Sequence, residues 1–446
     1  MVISKKYVYF CTLIAVFIWI GGSGPALGQE PLSFFNAISK TLENNYQIRI
    51  AQKDLEIAEN NNTAGAAGMW PSITLSAAQN NRWTDQTKPQ SSTTLYNDVS
   101  PSVNLNWLLF GGFSVQINRS RLAELENLSE GMMSVVVENT LQAIILAYQK
   151  TLLEKERLQI TREVMNLSLD QFRYTKTQRN TGNGTTFDLQ QAKTAYLEDS
   201  SNYILQGINF RNAKRNLNLI MGESHTKQYT LTDSFQPIDE SFNLEELYNR
   251  LEATNQTLTN QYINQKLIKY DLQQSKSNLY PTFSLNAGSS YTYGSRKVDD
   301  LPNTNSDPLV VYGNFTLNFN LFNGGQVKRS IQNAKISLEQ SKLETKEMEN
   351  ELKMQLVSLY DLYNVRKQLY NVALENEKVT RLNYDLAKDR YRLGTINSIN
   401  LREVQLSFLN ASLSKLQTIY DLMDSYTEIM RMTGSILTEF DPQQQQ

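Results

Sequence analysis

The side chains that most often do chemistry are nearly missing from this chain. Of 446 residues, one is histidine (His225) and one is cysteine (Cys11). Metal catalysis needs several nitrogen or thiolate ligands held together, and a hydrolytic triad needs a nucleophile, a base and an orienting acid. His225 sits in a loop-like stretch away from every strand-like segment, so a surface position is expected for it. No cofactor and no metal are expected, and the chain does not read as an enzyme. What remains are polar side chains spread along the chain, a few of them shortly after glycines. Asp188 lies six residues after Gly182, and Asn400 and Glu403 lie six and nine after Gly394. The last two fall one helical turn apart and can share a face. Asp188 and Glu403 also fall in the first turns of predicted helices, where a carboxylate gains roughly 0.3–1 kcal/mol from the helix dipole without any other role.

The elements that would carry these groups are of two kinds. Four stretches, about 71–82, 99–110, 281–293 and 310–322, alternate apolar and polar residues. Each has about the length a tilted strand needs to cross a bilayer. Ile73, Leu75 and Ala77 alternate with Ser72, Thr74 and Ser76; Val103, Leu105, Trp107 and Leu109 alternate with Ser102, Asn104 and Asn106. Phe283, Leu285 and Ala287 and then Phe315, Leu317, Phe319 and Leu321 repeat the pattern. Trp70, Trp107, Phe110, Tyr280 and Phe322 stand near strand ends, where membrane strands carry aromatic girdles. Lipid cannot satisfy an open sheet edge and ordinary barrels begin at about eight strands, so several chains must contribute.

The strands belong to an internal duplication. Leu105–Gly112 recurs as Leu317–Gly325, one residue longer, and Gly182, Leu189 and Gly222 answer Gly394, Leu401 and Gly434 at one constant interval. The first unit is expected over 29–235 and the second over 236–440, with a disordered Gln-rich tail at 441–446. Long helices are expected at about 114–179 and 326–392, and shorter ones at about 186–221 and 398–432. In the second unit Ile331, Ala334, Leu338, Ser341, Thr345, Met348 and Leu352 step by three and four, a heptad seam with small members. Small seam residues suit a helix flanked closely on both sides. Gly182 and Gly394 supply positive φ at the turns between helices.

Lys5 and Lys6, the apolar run from Tyr7 to Ile20 and the close at Ala26-Leu27-Gly28 read as a secretory signal peptide over 1–28. Cleavage before Gln29 removes Cys11 and two lysines, which moves the formal charge from −2 to −4 and leaves no disulfide framework. The balance of 43 Lys plus Arg against 45 Asp plus Glu contains no basic block, so nucleic acid is not an expected partner. Each strand hairpin is entered from a helix and left into one, so the helices share one side of the membrane. The hairpin loops, about 84–98 and 294–308, face the other. These readings point to an outer-membrane conduit with a periplasmic helical body. An envelope-spanning scaffold that conducts nothing would use the same elements, and conductance separates the two.

The sequence resembles the outer-membrane efflux protein family typified by TolC. The residues that carry the likeness are Trp70-Pro71-Ser72, Tyr280-Pro281-Thr282, the two Gly-Gly helix starts and Tyr391-Arg392-Leu393-Gly394-Thr395. The resemblance implies an α+β membrane fold in which four strands per chain join a trimeric twelve-stranded β-barrel and long antiparallel helices form a periplasmic α-helical tunnel. It implies a homotrimer in the outer membrane of a Gram-negative cell, in contact with outer-membrane lipid. It also implies a periplasmic adaptor and an inner-membrane pump as partners, in tripartite efflux or type I secretion. By motif, Asp188 and Tyr391 take latch positions at the tip, Asn400 and Glu403 take constriction positions, and Gly182, Gly394 and Thr395 form the tip turns. Ile396 stands where the family pattern has a latch Arg and Asn400 replaces an Asp.

Overall fold

A computed structural model describes residues 30–89, 91–238 and 240–440. The leader expected at 1–28 and the tail expected at 441–446 lie outside the described residues. The chain passes twice through one order of elements. The first pass is β1 (Glu30–Leu32), α1 (Phe34–Asn44), α2 (Tyr46–Asn61), β2 (Ser72–Gln86), β3 (Ser92–Gly111), α3 (Ser114–Asn180) and α4 (Thr186–Ile220). The second is β4 (Tyr229–Leu231), α5 (Leu244–Thr254), α6 (Gln256–Ser277), β5 (Thr282–Tyr291), β6 (Tyr293–Val298), β7 (Thr304–Ser306), β8 (Leu309–Asn318), α7 (Gln326–Arg392) and α8 (Ser398–Met432), closed by α9 (Ile436–Glu439). Three of the four matching helix pairs agree in length: α1 and α5 have 11 residues, α3 and α7 have 67, and α4 and α8 have 35, whereas α2 has 16 and α6 has 22.

Six strands form one mixed-length antiparallel sheet, in which β3 is central: β2 flanks one side, and β5 with β6 flank the other, followed by β8 with β7. Its register sorts side chains by polarity. One face carries the rows Leu75–Val103–Ser289–Val311, Trp107–Leu285–Phe315 and Phe110–Phe283–Leu317. The other carries Ser76–Ser102–Ser290 and Thr74–Asn104–Gly288–Tyr312. On this polar face Ser76 and Ser102 hydroxyls meet at 2.9 Å and the Tyr312 hydroxyl donates to Asn104 Oδ1 at 2.7 Å. Leu109 departs from the sequence alternation. The register slips between Leu108 and Phe110, which makes Leu109 the extra residue of a bulge and moves Phe110 onto the apolar face. The hairpins also reach further than the sequence pattern suggests, since residues 84–86 and 92–98 are strand rather than loop. Twenty residues of β3 at about 3.3 Å each give roughly 65 Å of strand, far more than the hydrocarbon layer requires.

The helices pack as rows. Next to the sheet the order is α2–α3–α6–α7, and beyond the middle of the long helices it is α4–α3–α8–α7. The seam of α7 lies inward in the first row: Ser341 and Thr345 are buried, and Thr345 Oγ1 donates to Gln265 Oε1 of α6 at 3.0 Å. Between the rows sits the apolar core. Leu32 and Leu231 of the parallel β1–β4 pair, Ile38 of α1, Ile144, Ile145 and Tyr148 of α3, and Tyr426 and Ile429 of α8 meet there. α3 holds a stretch apolar enough in composition to cross a membrane; 44% of it is buried, and Leu141, Ile144, Ile145, Tyr148 and Leu152 of α3 pack into this core.

The duplication is held at this level by one device used twice. Asn45 caps α2 by accepting from Gln47 N, and its Nδ2 donates to Ile220 O at the end of α4, 2.8 Å away. Asn255 caps α6 by accepting from Leu258 N at 2.9 Å and donates to Met432 O at the end of α8, also 2.9 Å away. One amide thus satisfies orphan groups of two helices distant in sequence. Asn255→Ala removes both bonds at a buried position and is expected to cost about 1–2 kcal/mol, read as a lowered urea midpoint.

Glu138 of α3 is buried, with Oε1 lacking a hydrogen-bond partner among the described residues. Burial raises its carboxyl to about 7, against a smaller opposing pull from Arg431. The folded form therefore holds a proton that the unfolded chain releases near the ordinary carboxyl value of 4.5, and stability drops as pH climbs from there through about 7. Glu138→Gln is expected to melt higher than the parent at pH 8 by an amount that vanishes near pH 4.5. Equal melting shifts at both pH values would contradict this.

Candidate functional site: the tip of the helical body

The far ends of the two helical hairpins converge, and the turns that close them are alike. Gly182 and Gly394 both take left-handed φ, +81° and +72°. Gly182 N donates to Arg179 O and Asn183 N to Gln178 O; Gly394 N donates to Tyr391 O and Thr395 N to Arg390 O at 3.0 Å. These bonds occupy carbonyls left over at the ends of α3 and α7, and a Cβ at either glycine would carry the strain of its φ. Thr395 adds a second bond from its hydroxyl to Arg390 O. The helices that follow begin on side-chain caps, Thr185 for α4 and Asn397 for α8.

Asp188 does more than sit in a first turn. One carboxylate oxygen accepts from its own cap, Thr185 Oγ1, at 2.6 Å, and the other accepts from Ser398 Oγ of α8 at 3.2 Å. It therefore joins the start of one hairpin's return helix to the start of the other's. Tyr391 lies across the same junction on the α7 side, its ring edge-on to Tyr174 of α3 at 5.8 Å. Beneath it, Tyr384, Ala387, Leu401 and Phe408 form a small apolar cluster, with Tyr384 and Phe408 stacked at 5.8 Å. Burial, then the Asp385 charge, push the Tyr384 phenol up to about 12, so it stays neutral. Asn400 and Glu403 are exposed. Asn400 N donates to Asn397 Oδ1, and its side chain borders a groove of about 370 Å³ between α7 and α8 that also meets Ile396, Val404 and Ser407. The Glu403 carboxylate has no bonded partner among the described residues and faces solvent. The geometry thus joins Asp188 and Tyr391 to neighbouring helices and leaves Asn400 and Glu403 free.

Sequence spacing did not point to the strongest polar junction. Arg402 of α8 forks onto Asp199 of α4 with bonds of 2.7 and 2.9 Å. Asp199 is 2% exposed and also accepts from Ser168 of α3, whose hydroxyl is held at 3.0 Å by Gln405 Nε2. Three helices from both hairpins share this network. A bidentate, desolvated pair is geometrically demanding, and removing one partner strands the other charge. Arg402→Gln is expected to cost roughly 3 kcal/mol, seen as faster amide exchange in α4 and α8 around the network. Unchanged exchange there would show that the fork holds nothing.

The two halves of the molecule, a wall of alternating strands and a long helical body closed by paired turns, occur together in known proteins. The sequence model of the family described as Outer membrane efflux protein matches residues 37–223 and again 247–435, once for each pass of the duplication. No curated protein sequence gives a significant match. Among solved structures the chain superposes on the channel CusC with a TM-score of 0.72 at 14% identity, covering 90% of this chain and 91% of that one. The CmeC outer membrane channel of Campylobacter jejuni gives 0.70 at 16% identity, with coverage of 90% and 85%. The open state of the Neisseria gonorrhoeae MtrE outer membrane channel gives 0.67 at 12%, with coverage of 91% and 89%. With a matched family segment in each repeat and this fold around both, the chain belongs to the outer membrane efflux protein family and is an efflux channel of the outer membrane with a periplasmic helical body.

Proposed function

We propose that three copies of this chain close into a passive duct, and that a periplasmic adaptor with an inner-membrane pump opens its tip and supplies the energy. The observation that carries this reading is that sheet and helices run out at the same two sides. The sheet has free edges at β2 and β8, and α7 ends both helical rows, with α2 and α4 at the opposite side. The free sides are apolar where water would otherwise meet them. Val365, Leu369, Val372, Val379 and Leu386 line an exposed stripe on α7, and Leu197, Ile204 and Ile208 are exposed on α4. A head-to-tail contact of α7 with α4 and of β8 with β2 of the next copy covers both stripes and both edges at once, and such a contact closes into a ring.

At the tip, Asp188 and Tyr391 hold the hairpins of one chain together, while Asn400 and Glu403 remain available to line the constriction. Movement of solutes needs no bond chemistry from the protein, and the adaptor acts by favouring the tip conformation in which the hairpins part. A single hydrogen bond of about 1 kcal/mol shifts a two-state population roughly fivefold. Asp188→Ala is therefore expected to raise the resting leak several-fold in planar bilayers, and Glu403→Gln to lower cation preference. Light scattering that gave a monomer, or a trimer with no conductance, would overturn the duct. The second result would favour a scaffold.

A further inference from the structure

We propose that the outer mouth of the barrel carries a binding site for multivalent anions, built from Arg82, Tyr96 and Arg296. The inference rests on the duct reading above, because it requires the polar face of the sheet to be the lumen. The register is unbroken from Ser72 through Gln86 on β2; on the other side of β3 pairing lapses at Ser100 and Pro101 between β5 and β6 and resumes in phase, with Ser102 opposite Ser290 and Val99 opposite Tyr293. The faces can therefore be followed upward from the membrane rows. The row Arg82–Tyr96–Arg296 crosses three strands and falls on the same face as Thr74–Asn104 and Ser76–Ser102.

The two guanidinium groups stand two strand spacings apart, about 10 Å between their backbones, with the tyrosine between them. Gly294, one row lower, leaves room for the Tyr96 hydroxyl, which lies 3.3 Å from where a Cβ would be. That hydroxyl has no hydrogen-bond partner among the described residues, and neither arginine has an ion pair there. The nearest carboxylate on this face, Asp98 in the row below, is buried and its Oδ2 accepts from Asn80 and Ser100. Asp85 and Lys297 fall on the opposite face. Unneutralised guanidiniums beside a free phenol suit oxyanions, and their separation suits a chain of phosphate or carboxylate groups over a single one. Rotational copies bring further pairs to the same rim. Guanidiniums at the exit thus oppose the carboxylates of the tip, and the site sets which charged solutes leave easily or plug the mouth from outside.

Tripolyphosphate is the probe, added to the barrel side of trimers conducting in a planar bilayer. It is expected to block current from that side, and Arg82→Gln with Arg296→Gln is expected to raise the half-blocking concentration about tenfold or more. Lys297→Gln, beside Arg296 in the same strand but on the other face, is expected to leave block unchanged. Absence of block in the parent protein, or equal weakening by Lys297→Gln, would overturn the site. Unaltered open-channel conductance in the variants reports an intact barrel, and absence of conductance in the parent would instead count against the duct.

Discussion

Hydrocarbon offers no hydrogen-bond partner to a strand edge, and the rest of this molecule is arranged around that constraint. One chain supplies a sheet whose inner strands are paired and whose outer strands, β2 and β8, are not. Each unpaired backbone group left in lipid would cost several kcal/mol, so the wall is complete only when another copy lends its edge. The helical body inherits the same incompleteness. It is continuous with the strands through short turns, so its rows end where the sheet ends, at α7 on one side and at α2 and α4 on the other.

Duplication provides two nearly equal units, yet the units do not play equal parts. The first contributes the tall uninterrupted hairpin β2–β3 and the central helix α3, which touches both passes of the chain. The second contributes a hairpin broken into shorter strands and the peripheral helix α7. Their helix starts differ too. Gly324 and Gly325 both take left-handed φ before α7, whereas before α3 that pair is Gly112 and Phe113. Phe113 holds φ of 70° while its ring packs edge-on to Phe110 and Tyr280 at 5.4 and 5.7 Å. Aromatic packing at the barrel base offsets a conformation that glycine would adopt freely.

Features governed by local period were legible in the sequence. Alternation over 72–77 and 102–107 put the correct residues on each sheet face, and the steps from Ile331 to Leu352 marked the buried side of α7, because both signals come from the geometry of a single element. Features that depend on distant approach were not. Leu109 looks like one more member of an alternating strand, and only pairing with β5 reveals the bulge. Asn45 and Asn255 look like ordinary caps, and their second bonds cross 175 and 177 residues. At the tip, position along the helices followed from the two glycine turns, whereas the partners of Asp188 and the fork of Arg402 on Asp199 depend on how hairpins meet. No spacing rule links residues 203 apart.

The unbroken length of α7 has a mechanical meaning. The core grips this helix near its middle, at Leu356 and Tyr363, and both arms extend from that fulcrum without a proline, an interior glycine or any other hinge. From Tyr363 to Leu393 the arm is about 45 Å long at 1.5 Å per residue. A tilt of roughly 10° about the grip would swing its end sideways by about 8 Å. A stiff lever of this kind turns a slight repacking at the equator into a displacement wider than a side chain, and it does so without unwinding a single helical turn.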